Sequence, residues 1–137
     1  MAAKEFVAPP LKLRRVWLAI GYSLVASVVY LSLTSSPVDP GLDIPYEDKL
    51  YHALPYFTLM FWFAQIYHEP VKRNVIAVMF ILMGVLFEYL QSFDPNRYYE
   101  FADMIANTTG VLLGLLLALT GAKTLLLRVD SALTGLR

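Results

Sequence analysis

The chain alternates long apolar runs with short polar connections, and four of these runs are long enough to cross a membrane as helices. They are Val16–Leu33, Tyr51–Tyr67, Asn74–Gln91 and Met104–Ala122. The hydrocarbon core of a bilayer takes about 20 apolar residues in a helix, with roughly 17 as the short limit. None of the runs alternates apolar and polar residues as barrel strands do. We therefore predict an all-α membrane protein, a bundle of four transmembrane helices that forms a single domain over residues 1–137.

The connecting segments fit this arrangement. Residues 34–49 contain Pro37, Pro40 and Pro45 with Gly41, which predicts an irregular, turn-rich loop. Residues 68–73 are too few for anything but a tight antiparallel connection, and residues 124–137 indicate a small amphipathic or disordered tail. A cleaved signal peptide is the competing interpretation of the first run. Its length and the lack of a clear small-residue cleavage site argue against that interpretation.

Composition supports a membrane protein. Hydrophobic residues make up 58% of the chain and charged residues 16%, whereas about a quarter of a soluble domain is charged. The formal net charge of zero gives no general attraction to nucleic acid, so we expect none as a partner. Without cysteine there is no disulfide, thiolate zinc site or cysteine nucleophile. The lipid bilayer is the first partner that the sequence predicts.

The basic residues lie mostly on one side of the predicted bundle. Nine of the eleven lysines and arginines, among them Lys4, Arg73 and Arg137, precede the first run, join the second to the third, or follow the fourth. Lys49 and Arg97 are the two exceptions, while Asp39 is among the acidic residues on their side. The positive-inside rule then places both termini in the cytoplasm. We expect a multi-pass protein of the bacterial cytoplasmic (inner) membrane, with residues 34–49 and 92–102 at its outer face.

Polar side chains concentrate where three of the runs meet this outer boundary. Ionisable and amide groups are unfavourable beside hydrocarbon, so such a concentration marks a candidate functional site. Helical spacing places the members from each run on one face of their helix. The candidate residues are Asp48, Lys49, His52 and Tyr56 at the second run, Glu88 and Gln91 at the third, Arg97 in the loop, and Asp103, Asn107, Gly110 and Gly114 at the fourth.

Most of these residues also have a structural interpretation. Asp48 and Asp103 begin helices, where a carboxylate offsets the helix dipole. Gly110 and Gly114 have the spacing of a close helix-packing face, which is the role that we expect for them. Lys49 and Arg97 are explained equally well as charges that face solvent. His52 fits a hydrogen-bonded core histidine, and Asn107 fits an interhelical hydrogen bond. Glu88 is the hardest to explain structurally, because it lies about one turn inside its run and needs a cation, a proton or a donor.

The same side chains predict two kinds of chemistry. Asp48, His52, Glu88 and Asp103 carry the ligand atoms of a divalent cation, which makes such an ion a candidate cofactor. Histidine beside a carboxylate is also suited to acid–base work, so His52, Glu88 and Asp103 are the candidates for catalytic residues. Lys49 and Arg97 are suited to anionic phosphate oxygens. Tyr56, Gln91 and Asn107 would orient the ligand. Whether any reaction is catalysed stays open.

In these residues the chain resembles the VanZ-like family of small bacterial membrane proteins. The pattern comprises Asp48-Lys49-x-x-His52-x-x-x-Tyr56, Glu88-x-x-Gln91, a loop arginine at Arg97, and Asp103-x-x-x-Asn107-x-x-Gly110-x-x-x-Gly114. It covers about residues 36–119. The resemblance implies a four-span protein of the bacterial cell envelope, related to a protein of teicoplanin (glycopeptide) resistance. It implies no catalytic role for any residue.

Three functional hypotheses follow. The preferred one is a membrane protein that binds a phosphorylated or lipid-linked envelope ligand at the outer face, with or without acting on it. The second is a non-catalytic accessory subunit, in an oligomer or with an envelope protein partner, whose polar cluster only locks helix packing. The third is a proton-coupled transporter component that uses His52 and Glu88, and the absence of repeat symmetry disfavours it.

Overall fold

A computed structural model describes residues 7–36 and 41–135. Its helices are α1 (Arg14–Leu33), α2 (Glu47–Ile66), α3 (Pro70–Gln91), α4 (Phe101–Leu117), a 3₁₀ turn (Gly121–Thr124) and α5 (Leu125–Gly135). No strand occurs within these two ranges, which confirms the all-α prediction. Some residues of the loop and charge patterns lie outside the described residues, namely Lys4, Pro37, Asp39, Pro40 and Arg137.

Two of the helices, α1 and α3, are by themselves long and apolar enough to cross a membrane. The pair formed by α4 and the 3₁₀–α5 segment also qualifies, although it is bent by 77°, so the described residues hold two or up to three candidate spans. The prediction of four spans is not confirmed. Helix α2 opens with three charged residues, Glu47-Asp48-Lys49, and α4 stops at Leu117, before the predicted end of its run at Ala122.

Helix α4 ends early because the chain turns at Thr120 and Gly121. The Thr120 hydroxyl accepts a hydrogen bond from the Ala122 amide and so caps the 3₁₀ turn that follows. Helix α5 then leaves at the bend, with Leu126 and Asp130 buried against the bundle. Residues 125–135 therefore form a helix with a buried and an exposed face, which agrees with the amphipathic interpretation for the described part of the predicted tail.

The closest helix contact in the fold is the seam between α2 and α4, which two glycines allow. A Cβ atom on Gly110 would lie 2.1 Å from the Ala53 carbonyl oxygen, and one on Gly114 would lie 2.7 Å from that of Phe57. Because backbone atoms occupy these positions, no side chain fits there without a shift of one helix. Close packing along this seam places the start of α4, which contains Asp103, next to the start of α2.

Three buried polar residues (Gln65, Arg73 and Asp130) hold the other end of the bundle, which we call the Asp130 end. The Asp130 carboxylate accepts hydrogen bonds from the Lys12 and Leu13 amides at 2.8 and 2.9 Å, so that α5 caps the start of α1. It also accepts a third hydrogen bond, from an indole nitrogen (Trp17 Nε1) at 2.7 Å.

Gln65 and Arg73 complete the Asp130 end. The Gln65 side chain donates to the Ala122 carbonyl and accepts from the Leu126 amide, joining α2 to the 3₁₀ turn and α5. Arg73 donates to the last carbonyls of α2, including that of Ala64 at 2.6 Å. The sequence pattern treats Arg73 as a loop charge, whereas it lies in α3 and is only 5% exposed. Its role in the structure is to satisfy the end of a neighbouring helix.

Candidate functional site

At the opposite end of the bundle, which we call the His52 end, one histidine lies between two buried carboxylates. His52 Nδ1 is 3.3 Å from Glu88 Oε1, and His52 Nε2 is 3.5 Å from Asp103 Oδ2. The Glu88 and Asp103 side chains are 1% and 8% exposed. The start of α2, the end of α3 and the start of α4 supply one residue each. The structure thus brings together the three residues that the sequence offers as acid–base or metal-ligand candidates.

Lys49 lies on the far side of Asp103 and contacts three carboxylates. Its ammonium is 2.6 Å from Asp103 Oδ1, 2.7 Å from Asp48 Oδ2 and 2.5 Å from Glu100 Oε2. Partial burial opposes the charge, but the hydrogen bonds from Asp103, Asp48 and Glu100 outweigh it and raise the pKa of Lys49 above its ordinary value. Its charge is thus already compensated.

This arrangement separates the predicted site residues into two groups. Lys49 and Asp48 are engaged with each other and lie outside the pocket described below. Glu100 was not among the predicted site residues, although its place three residues before Asp103 indicates a neighbouring position at the start of α4. Asp103 joins the groups, with one oxygen toward His52 and the other toward Lys49.

A pocket of about 310 Å³ opens beside His52. Its polar lining comes mostly from predicted site residues, joined by Ser32 and Tyr51, and its apolar lining comes largely from α1 and α2. The lining residues are Val28, Leu31, Ser32, Tyr51, His52, Leu54, Pro55, Tyr56, Phe87, Glu88, Gln91, Arg97 and Asn107. Drug-sized ligand sites begin at roughly this volume, and a few polar groups in an apolar wall are typical of them.

Three buried polar atoms that belong to pocket-lining residues have no hydrogen-bond partner among the described residues. They are Glu88 Oε2, Asn107 Oδ1 and the Tyr56 hydroxyl, in residues that are 1%, 3% and 3% exposed. Buried polar groups are nearly always paired, because an unpaired one loses its hydration without compensation. Two of the three atoms are acceptors only. These two oxygens therefore have neither a donor nor a cation beside them among the described residues.

Gln91 and Arg97 attach the site to α1. Gln91 Nε2 donates to the Ser32 carbonyl at 2.7 Å, and Arg97 Nη2 donates to the same oxygen at 3.3 Å. Arg97 is half-buried and lines the pocket, and its guanidinium has further N–H donors in a planar fork. Ser32 was not predicted, because a backbone carbonyl near a helix end gives no signal in the sequence.

Gly84 lets the polar residues approach one another. A Cβ atom there would lie 3.1 Å from Asn107 Cβ and 3.3 Å from Tyr56 Cε1. Gly84 is four residues before Glu88 and so lies on the same face of α3. Gly84 is not among the predicted site residues, although its helical spacing from Glu88 and Gln91 is a signal in the sequence.

The charges around the site leave it acidic. Asp48, Glu88, Glu100 and Asp103 have four formal negative charges, against two positive charges on Lys49 and Arg97, so these six side chains sum to −2 before any charge on His52 is counted. Lys49 contacts carboxylates on its own side of Asp103, and among the described residues His52 is the basic side chain in contact with Glu88. The deep part of the pocket is therefore rich in acceptors, and Arg97 supplies a cationic group among the lining residues.

Comparison with known proteins identifies the family. The VanZ/LLP1 family model matches residues 12–126, which contain α1 to α4 and every predicted site residue. An uncharacterized protein of Schizosaccharomyces pombe is similar to the chain, with 30% identity over 108 residues, or 77% of this chain and 64% of that protein. The chain thus spans less than two thirds of the length of this relative. No solved structure matches the chain significantly. Because the family model covers most of the chain, the protein belongs to the VanZ/LLP1 family.

Proposed function

We propose that this protein binds the headgroup of a phosphorylated, lipid-linked ligand of the cell envelope in the pocket at its His52 end. The observation that carries the proposal is the half-buried Arg97, which lines a pocket that has an apolar wall and polar atoms without a hydrogen-bond partner among the described residues. A helix bundle that needed these polar atoms only for packing would pair them with neighbouring groups.

The lining of the pocket supports an amphiphilic ligand. Val28, Leu31 and Leu54 provide an apolar wall beside the polar residues of α3 and α4. A volume of about 310 Å³ accommodates a headgroup but not a complete lipid with its chains. In a membrane the chains of such a ligand stay among the bilayer lipids, since the apolar surface of α1 is exposed at Leu31 and Tyr30.

Arg97 supports a phosphate on the ligand. Its planar guanidinium offers parallel N–H donors that match phosphate oxygens, and it lines the pocket at the end of the bundle where α3 has stopped. Lys49, the other predicted phosphate ligand, has three carboxylates around its ammonium and is not part of this proposal.

The charge pattern supports the outer membrane face as the place of binding. The bulk of the lysines and arginines lie in segments that the positive-inside rule assigns to the cytoplasm, at the Asp130 end. The His52 end then faces outward from a cytoplasmic membrane. A link to glycopeptide susceptibility is a further part of the proposal, and it predicts that loss of the pocket changes teicoplanin susceptibility of cells that depend on this protein.

The accessory-subunit hypothesis draws support from a different observation. Large aromatic side chains are exposed at the His52 end, with Tyr98 89% and Tyr46 81% exposed. Aromatic residues at this level suit a membrane interface as well as a protein partner. The accessory hypothesis leaves the unpartnered pocket atoms without explanation, so we place ligand binding first.

A thermal-shift experiment with a defined lipid tests the proposal. The purified protein in detergent is heated with a short-chain phosphatidic acid, and separately with the diacylglycerol that lacks its phosphate. Binding to the native state raises the unfolding midpoint in a concentration-dependent manner. We expect the phosphorylated lipid to stabilise the protein and the diacylglycerol to have little effect.

Two arginine variants make the test specific. Arg97→Gln removes the cationic group from the pocket lining, whereas Arg128→Gln removes an exposed arginine on α5 at the other end. The first is expected to lose the phosphate-dependent shift and the second to keep it. Equal shifts in both variants, or no shift in the wild type with any phosphorylated lipid headgroup, would overturn the proposal.

A further inference from the structure

The two nitrogens of His52 face different carboxylates. Nδ1 is on the side of Glu88 and Nε2 is on the side of Asp103. Asp103 is held in turn by Lys49, whose ammonium contacts its other oxygen at 2.6 Å. Asp103 is thus held in place on the Nε2 side of the ring. With a cation bound at Nδ1, the Nε2 proton would face Asp103 and the Nδ1 lone pair would face the cation on the Glu88 side.

A histidine oriented in this manner is the usual partner of a metal ion. Metal-binding histidines almost always donate their second ring N–H to a carboxylate or carbonyl, which fixes the tautomer and makes the other nitrogen more basic. Asp103 fills that role here and Lys49 orients it. Ligand atoms of His52, Glu88 and Asp103 all lie within 4.8 Å of one another, so the histidine and the buried glutamate are close enough to share one ion while Asp103 stands beside them.

The unpartnered atoms provide a second and independent indication. Glu88 Oε2 is buried and makes no hydrogen bond among the described residues, and the same holds for Asn107 Oδ1. Both residues line the same pocket, and the missing side chain at Gly84 lets Asn107 pack against α3 one turn from Glu88. A carboxylate and an amide oxygen without donors are what a cation requires. A headgroup phosphate, whose oxygens are themselves acceptors, leaves both of them unsatisfied.

The charge of the site points in the same direction. Glu88 is buried in an apolar environment, where an isolated carboxylate is strongly unfavourable unless it is protonated or paired. The Lys49 ammonium contacts Asp48, Glu100 and Asp103, whereas Glu88 has one oxygen 3.3 Å from His52 Nδ1 and its other oxygen without a partner among the described residues. A divalent cation compensates the carboxylate and keeps a positive charge for an anionic ligand.

We infer that the pocket binds one divalent transition-metal ion through His52 Nδ1, the Glu88 carboxylate and Asn107 Oδ1, with Asp103 and Lys49 as positioning residues. The inference rests on the proposed function for its ligand, because a phosphate oxygen of the bound headgroup, or water, fills the remaining coordination positions. Arg97 then holds the phosphate from the other side.

The donor set limits the identity of the ion. One imidazole nitrogen with carboxylate and amide oxygens is suited to Zn²⁺ or Mn²⁺. Ca²⁺ takes 6–8 oxygen ligands and rarely accepts imidazole, so we expect it to bind weakly. Mg²⁺ retains most of its water and is expected to compete poorly as well.

Isothermal titration calorimetry with the metal alone tests the inference. Protein purified without a polyhistidine tag is treated with EDTA, dialysed, and titrated with ZnCl₂ and with MnCl₂. We expect one ion per chain. His52→Gln and Glu88→Gln should abolish this binding, whereas Asp103→Asn should weaken it by about tenfold to a hundredfold, as is typical of a residue behind a metal ligand.

The second histidine of the chain supplies the matched control. His68→Gln removes an imidazole at the Asp130 end, which is the only other histidine in the sequence, and should leave the stoichiometry and affinity unchanged. Each variant is first checked for an unaltered thermal midpoint in EDTA. If one of the site variants fails that check, Asn107→Leu replaces it. Wild-type protein that binds no ion, or His52→Gln that binds as the wild type does, would overturn the inference.

The metal titration and the lipid experiment distinguish a failure of the metal inference from a failure of the proposed function. If the phosphorylated lipid stabilises the EDTA-treated protein fully and no ion binds, the metal inference is wrong and the proposed function stands. If one ion binds and requires His52 and Glu88 while no phosphorylated lipid has an effect, the metal site is supported and the ligand assignment is wrong.

Discussion

The two ends of the bundle contain similar kinds of buried polar residues, but these residues differ in how completely their side-chain atoms are hydrogen-bonded. At the Asp130 end, the Asp130 carboxylate accepts three hydrogen bonds and Gln65 both donates and accepts. At the His52 end, Glu88, Asn107 and Tyr56 each keep a buried atom without a partner among the described residues. Only the second group lines a pocket beside a histidine between carboxylates.

This difference distinguishes polar residues that hold the fold from those that the proposed ligand would pair with. A fully paired buried group contributes to the fold, because its removal leaves its buried partners without a hydrogen bond. An unpaired one weakens the fold in the absence of its ligand, so it persists in a chain only where something else compensates it. Burial alone does not make this distinction, since Asp130 and Glu88 are both 1% exposed.

The largest effect is expected at the seam between α2 and α4, on which the His52 end depends. Gly110→Ala places a Cβ atom about where the Ala53 carbonyl oxygen lies, so the two helices must separate. We expect a loss of about 3 kcal/mol in the free energy of unfolding, as overpacking of a tight site produces. Denaturant unfolding in detergent micelles, followed by tryptophan fluorescence, measures it.

Gly121→Ala is the matched control for the seam, because nothing lies within 4 Å of a Cβ atom there. It should change stability little. If Gly110→Ala proves as stable as Gly121→Ala, the close approach of α2 and α4 that carries Asp103 to His52 is wrong.

The next largest effect is expected at Asp130. Asp130→Ala leaves the amides of Lys12 and Leu13 and the Trp17 indole without their acceptor. We expect a loss of roughly 2 kcal/mol in the free energy of unfolding, because leaving a buried donor without an acceptor costs about 1–3 kcal/mol. The response to short-chain phosphatidic acid at the His52 end should persist. Loss of ligand binding with no loss of stability would reverse the roles of the two ends.

Arg73→Lys is expected to have a smaller effect at the same end. The guanidinium reaches the carbonyls of Ala64 and Tyr67 together, which a single ammonium cannot reproduce in the same geometry. The expected loss is about 1 kcal/mol in the free energy of unfolding. Lys72→Arg changes a neighbouring basic residue that is exposed and serves as the control. A loss in the control as large as that in Arg73→Lys would show that the assigned carbonyl contacts do not matter.

The smallest effect on stability is expected at Glu88. This variant distinguishes most clearly between the structural role of the Asp130 end and the proposed binding role of the His52 end. Glu88→Gln keeps the size of the side chain, removes a buried carboxylate whose Oε2 has no partner among the described residues, and adds donors for neighbouring acceptors. We expect the free energy of unfolding in EDTA to change by less than about 1 kcal/mol or to rise. A destabilisation as large as that of Asp130→Ala would mean that both ends are structural.

The helical spacing of the sequence was sufficient to predict most of the His52 end. His52, Glu88 and Asp103 lie on polar faces near the ends of three apolar runs, and antiparallel neighbouring helices bring such ends together. The all-α fold follows from the same periodicity. The number of spans is not confirmed, because α2 does not qualify as a candidate span among the described residues and α4 qualifies only together with the segment after its bend.

The Asp130 end was not predictable in the same manner. Asp130 lies in a segment that indicates only an amphipathic or disordered tail, and its partners Lys12 and Leu13 are more than a hundred residues away in the sequence. Its role depends on the bend after α4, which no local pattern specifies. Arg73 was read as a loop charge because a basic residue beside a turn carries no sign that a neighbouring helix end will use it.

Which side chains are paired with one another likewise depends on the tertiary structure and cannot be predicted from local sequence. The sequence places Lys49 and Arg97 together as the two cations of the His52 end, and only the structure separates them. Three carboxylates surround the first, and the second lines the pocket.

Native mass spectrometry of gently extracted protein tests the central claim most directly, namely that the His52 end binds a ligand and the Asp130 end does not. The wild type and Asp130→Asn should each carry a co-purified phosphorylated lipid at one copy per chain, and Glu88→Gln should carry none at equal membrane abundance. Wild-type protein without any bound lipid, or the same lipid retained fully by Glu88→Gln, would contradict the account.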